Sequence, residues 1–282
     1  DKRNGASAAN LKEDLCQTIP GAAEPELLVQ AIESVANQLK TATAGQYVDQ
    51  DTVSGQFYLR TEGGINIQQI IREYADTVLK RNEEQADQYW FEFLQYVIGL
   101  QQNTYRTGFK IWQHSLEWID KRSFRLGYIF FGNPNERSTT EPIQQYYLFF
   151  CPLFHAISRN DEADEVYFEM KGFSQDFKDR ILLYGASKAL EANASSDQKA
   201  LFRSQIDEHR KKAIELFERE YVERTTVIYK GTETLLKAYQ LPGDGAGKDA
   251  IFSAVSAKVL NKQFSDKFAD YPAFTDLLSP LS

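Results

Sequence analysis

Cysteine and histidine are scarce in this chain, and long apolar runs are missing altogether. Its 282 residues hold only Cys16 and Cys151, far apart and in no metal or redox spacing, which points to free thiols in a reducing cytosol. His114, His155 and His209 have no paired ligand spacing with Cys, Asp or one another, so a metal centre is not expected. No stretch approaches the roughly 20 apolar residues that cross a bilayer, and no secretory signal is visible. A Gly-x-Ser-x-Gly nucleophile elbow is also missing. Carboxylates are so plentiful that pairing any two as a glycosidase dyad is arbitrary.

One sequence imitates a phosphate loop. Gly243-Asp-Gly-Ala-Gly-Lys-Asp249 lacks the required spacing, since Pro242 stands where the first Gly belongs and Asp249 replaces the Mg²⁺-holding hydroxyl. No β-branched strand precedes it. A flexible linker into a helix is the expected role, with no cofactor and no enzymatic activity in this segment.

What the chain does hold is aromatic side chains and acid. With 19 Phe and 15 Tyr, many in short runs, it calls for a well-buried core with sheet content. The net charge of −8 repels nucleic acid and anionic membrane at long range. The chain opens at Asp1 rather than Met, as expected of a fragment of a longer protein.

The pattern along the chain predicts an α+β fold. Residues 1–10 read as a polar lead-in. Helices over Leu11–Ile19 and Glu24–Ala44 follow, the second with Leu27, Leu28, Ala31, Ile32, Val35 and Leu39 at helical spacing. A hairpin turned by Asp51-Thr-Val-Ser-Gly55 then completes a winged-helix outline over 1–64. Five basic against eight acidic residues in 1–60 argue for protein contact there rather than groove reading.

A helical connector is expected over 65–104, an α+β domain over 105–240 and a C-terminal helical segment over 241–282. Phe109, Trp112, Leu116 and Ile119 keep 3-4-3 spacing, which suggests a short helix, with strand as the alternative. Strands are expected at 126–131, 145–153, 165–171 and 225–229. Helices are expected at 175–193, 197–221 and 249–268.

Two regions stand out as contact surfaces. Residues 105–130 carry Arg106, Lys110, Lys121, Arg122 and Arg125 among Trp112, Trp118, Phe124 and Tyr128, a mixture suited to stacking and phosphate contact. The plainer reading is a core element with a solvated Lys/Arg rim. Between the strands ending at Phe131 and starting at Gln145 lies a polar loop with Asn133, Asn135, Glu136 and Arg137. It is either a solvated connection or a presented binding loop. Arg137 there suits a fork to a partner's carboxylate or phosphate, or a clamp to Glu136 or Glu141.

The run Gly127-Tyr-Ile-Phe-Phe-Gly-Asn-Pro-Asn-Glu-Arg-Ser-Thr-Thr-Glu-Pro142 resembles a segment of the very large P-loop proteins of bacterial phage-resistance (BREX-type) systems, the PglY/BrxC-like family. Asp164-Glu-Val-Tyr-Phe168, Leu182-Leu-Tyr-Gly-Ala186 and the stretch from Phe264 through Asp270-Tyr-Pro-Ala-Phe274 extend the likeness. It implies a non-catalytic interaction segment of a larger cytoplasmic defence ATPase, whose nucleotide-binding loop lies outside these residues. The implied partners are other components of the defence system or other regions of the parent. The alternative is a nucleic-acid-binding module, with DNA met through the winged helix or the 105–137 surface; no membrane role is implied.

Overall fold

The computed structural model describes residues 5–15, 25–42, 48–59, 66–100, 111–132, 137, 140 and 142–272. The fold is mixed α+β and divides into two compact units, one of residues 1–81 with 183–208, the other of 82–182 with 209–282.

The first unit holds α1 (Ala8–Leu15), α2 (Pro25–Ala42), the antiparallel pair β1 (Val48–Gln50) and β2 (Phe57–Leu59), and α3 (Ile67–Thr77). The helix–helix–hairpin order is as the sequence indicates. The turn between β1 and β2 is held by Asp51, whose side chain accepts from the N–H of Val53 and Ser54. Residues 5–10 are not a lead-in. Ala6 bridges Phe57 antiparallel, and α1 starts at Ala8. The stripe of α2 is not buried either: Leu27, Val35 and Leu39 are each about half exposed. Asn66 caps α3 by accepting from the Gln69 N–H.

The second unit is built on a six-stranded sheet in chain order: β3 (Ile111–Trp118), β4 (Ser123–Phe131), β5 (Tyr146–Phe150), β6 (Glu165–Glu169), β7 (Thr226–Tyr229) and β8 (Thr232–Leu235). The outer pairings are antiparallel, while β4, β5 and β6 run parallel. Parallel strands covered on both faces read as unbroken apolar runs, and Tyr-Tyr-Leu-Phe-Phe of β5 is buried at every position.

Neighbouring strands lie about 4.8 Å apart, so in-register rings stack. Phe130, Phe149 and Tyr167 do so on one face at 5.0 and 4.9 Å. Phe131, Phe150 and Phe168 do so on the other at 5.1 and 5.2 Å.

Helices cover the second of these faces. Phe252 of α7 (Lys248–Lys267) meets Phe150 and Phe168 edge-on, and Phe91 of α4 (Glu83–Ile98) meets Phe131. The other face lies under irregular chain. Its tyrosines latch that chain: the Tyr128 hydroxyl donates to the Pro142 carbonyl, and the Tyr147 and Tyr167 hydroxyls accept from the N–H of Gln144 and Asn160.

α5 (Gln175–Asn193) and α6 (Ser196–Arg224) contribute to both units. Glu220 of α6 accepts from the N–H and hydroxyl of Ser174 and so fixes the start of α5. α7, expected as a separate segment, belongs to the same unit as the sheet.

Where the sequence suggests a helix through Trp112, Leu116 and Ile119, residues 111–118 form β3, whose burial alternates as a half-covered edge strand requires, while Phe109 falls outside the described residues. β8 was not expected at all. Its Thr-Glu-Thr-Leu carries no apolar alternation because it is an exposed edge.

Candidate interaction surface

The β3–β4 hairpin carries three of the contact residues that the sequence offers, Lys121, Arg122 and Arg125. Its turn spans residues 119–122, with Arg122 in the left-handed conformation at φ 46°. Asp120 ties that turn to α7: Asn261 Nδ2 and the Ser265 hydroxyl donate to its carboxylate, and Asn261 Oδ1 accepts from its N–H. On the face toward α7, Arg125 lies in a cage of aromatic rings. Its guanidinium carbon is 4.7 Å from the Trp118 ring centre, 4.6 Å from Phe268 and 3.9 Å from Tyr271.

Successive strand residues point to opposite faces. Burying Arg125 therefore turns Phe124 and Leu126 to the other side, where they are 70% and 57% exposed. Their register partners Glu117 and Ser115 are exposed beside them. Ile143, 82% exposed, lies two residues before Gln145, whose N–H donates to the Leu126 carbonyl. At the turn, Ile119 is half exposed, Arg122 is exposed, and Lys121 Nζ sits 5.9 Å from the Trp118 ring. The result is a rigidly backed corner of the sheet that offers apolar side chains beside two cations.

The sequence-derived candidates divide accordingly. Lys121 and Arg122 lie on this corner. Arg106, Lys110, Asn133, Asn135 and Glu136 fall outside the described residues. Arg125 and Arg137 are corrected, because both turn inward.

Arg137 forks Asp164 through Nη1 and Nη2 at 2.8 and 2.9 Å, reaches Glu165 at 2.8 Å, and lies 4.0 Å over the Tyr147 ring. Burial alone would lower its pKa, but the hydrogen bonds of Asp164 and Glu165 outweigh that and hold it above its ordinary value. Glu165 is fully buried, and its second oxygen accepts from the Tyr167 hydroxyl and the Glu162 N–H. Arg137 is thus a clamp between the 137–145 and 162–165 segments. Its described partners lie far along the chain, while the local Glu136 and Glu141 that the sequence offered fall outside the described residues.

Three further arrangements escaped the sequence. Asp87 of α4 is buried and accepts from the N–H of Leu153, Phe154 and His155 and from His155 Nδ1 at 2.7 Å, which pins the exit of β5. Trp90 Nε1 donates to the Cys151 carbonyl beside it. Burial pushes the Cys151 thiol up to about 12, so it is an inert core group.

His114 is hydrogen-bonded on both ring nitrogens, to the Tyr146 hydroxyl and the Ser253 hydroxyl, each at 2.9 Å. Burial lowers its pKa to about 4, against a weaker opposing pull from Asp249. None of these arrangements leaves a sequence signal, since the partners in each are remote along the chain.

Among the described residues no group of three or more His, Cys, Asp or Glu side chains is placed to hold a metal ion. Lys248, of the loop that imitates a phosphate site, pairs with Glu218 at 3.1 Å. No described helix is long and apolar enough to cross a membrane.

Two family models match the chain. Residues 1–65 match the DUF6079 second domain, and residues 69–268 match the DUF6079 third domain. No curated protein and no solved structure matches it.

Proposed function

We propose, for a chain that belongs to the DUF6079 family, that it is a non-catalytic interaction and regulatory segment of a larger bacterial anti-phage defence protein of the ATPase type. It works in the cytoplasm and docks other components of the defence system or other regions of its parent. The observation that carries this is the hairpin corner. Phe124 and Leu126 project into solvent from a strand whose opposite face is fixed by the Arg125 cage and the Asp120 hydrogen bonds. Apolar side chains held out by a preorganised backbone lose little entropy on binding, which favours a protein partner. The exposed stripe of Leu27, Val35 and Leu39 on α2 is a second apolar surface of the same kind.

The defence context comes from the resemblance of residues 127–142 to the BREX-type P-loop proteins. DNA is the weaker alternative partner, since Arg125 and Arg137 are engaged internally rather than offered to phosphates. Co-expression of the tagged chain with the other defence components tests the assignment. Stable co-purification is expected. A chain that binds none of them, and whose removal leaves the parent fully active, contradicts it. A salt titration on duplex and single-stranded DNA tests the alternative, because phosphate contacts weaken steeply with salt.

A further inference from the structure

The first unit carries an apolar surface of a different shape from the hairpin corner. Leu27, Val35 and Leu39 of α2 are each about half exposed, and Ala31 between them is exposed as well. The four stand four residues apart, so they form one continuous ridge along the helix. α2 packs through another side, where Ala36 is buried and Ile32 and Lys40 are half-buried.

Beside the C-terminal half of this ridge lies a groove of about 800 Å³. Ser34, Asn37 and Gln38 of α2 line it on one side and Asn193 and Gln198 on the other, with the buried Leu190 and Phe202 at its base. All of these residues belong to the same unit as α2.

The surface is uncharged. Among the described residues no Asp, Glu, Lys or Arg lines the groove. At about 100° per residue, the charged residues of α2, Glu26, Glu33 and Lys40, project from the side of the helix opposite the ridge. Lys40 there lies 4.0 Å from Glu73 of α3. Such a surface stands out in a chain with 26% charged residues and a net charge of −8.

We propose that this surface takes a second copy of the chain, the ridge of each copy lying in the groove of the other about a two-fold axis that runs along α2. A ridge and a groove side by side are what such an axis needs, because it carries each onto the other. Charge points the same way. Two acidic chains repel through most of their surfaces, and here they meet without a like-charge pair. A nucleic acid finds no cation in the groove to neutralise its phosphates. One ridge and one groove per copy make an interface of about 1,000 Å² in all, at the low end of specific interfaces, so a reversible dimer with a Kd on the order of 10 μM is expected. This goes beyond the hairpin assignment and does not rest on it.

The test is sedimentation equilibrium of the chain from about 1 to 200 μM, a range that brackets that Kd. The average mass is expected to rise from monomer toward dimer, and 0.5 M sodium chloride is expected to leave the curve unchanged or to strengthen association. Val35→Glu would bury a lone carboxylate in the groove, and is expected to weaken association by about tenfold or more. Since Val35 is exposed in the single chain, the melting temperature of a dilute sample should stay the same. Phe124→Ser, Leu126→Ser should dimerise as the unaltered chain does.

The proposal is overturned if the chain stays monomeric throughout the range, if added salt dissolves the dimer, or if Val35→Glu associates as strongly as the unaltered chain. Loss of the dimer in Phe124→Ser, Leu126→Ser also overturns it, by moving self-contact to the hairpin. A monomeric chain that still co-purifies with defence components would remove this proposal and leave the interaction assignment standing. A dimer sensitive to Val35→Glu but without co-purification would do the reverse.

Discussion

At the scale of single residues, Gly127 is the position where the sheet tolerates least. It lies in register between His114 on β3 and Tyr146 on β5. A Cβ there would fall 2.4 Å from the Tyr146 ring. Glycine therefore lets the tyrosine lean across β4 to reach His114. That ring is fully buried and tethered, so it has nowhere to move. Gly127→Ala is expected to destabilise by about 3 kcal/mol, at the upper end of overpacking costs, read as a fall in the urea midpoint.

His114 itself makes stability depend on pH. Its folded pKa of about 4 lies below the 6.5 of an unfolded chain, so between these values the unfolded state binds the proton that the fold refuses. Stability from this group is complete above about pH 7 and falls as pH drops toward 4, by at most about 3 kcal/mol. Melting curves across that window check this, and His114→Gln should flatten them. Arg137 gives a third case. Arg137→Ala strands the buried Glu165, with an expected loss of roughly 3 kcal/mol. Unchanged stability would show that the clamp carries no weight.

At the scale of elements, the central strands were legible. β5 throughout, β4 over Tyr128–Phe131 and β6 over Val166–Phe168 are unbroken apolar runs because both sheet faces are covered there, and α5 runs over the residues its periodicity marks out. β3 was ambiguous. Trp112, Leu116 and Ile119 satisfy a helical period, while Trp112, Leu116 and Trp118 satisfy an alternating one. Only the pairing with β4, which is non-local information, decides between them.

The site was half legible for the same reason. The basic and aromatic stretch was visible, but the inward turn of Arg125 depends on rings of α7 and the segment after it. That of Arg137 depends on acids 27 and 28 residues away. The outward turn of Phe124 and Leu126 follows from the burial of Arg125 between them. Since both side chains are exposed, the double change Phe124→Ser, Leu126→Ser is expected to shift stability by no more than about 0.5 kcal/mol. Thermal unfolding checks this. A large loss would mean that the corner is part of the core.

At the scale of the whole molecule, the chain has a well-filled aromatic sheet, no metal-binding group among its described residues and two apolar surfaces facing solvent. Its most heavily hydrogen-bonded acids, Asp87, Glu165 and Glu220, hold loops and helix starts in place. Such rigidity suits a body that presents a surface.

The central claim is that the hairpin corner is that surface. It is tested most directly by co-expressing the chain with the components of the proposed defence system and measuring co-purification for the unaltered chain and for Phe124→Ser, Leu126→Ser side by side. The prediction is a stable complex for the first and its loss for the second, with both chains equally folded. Equal recovery of partners by the two would contradict it.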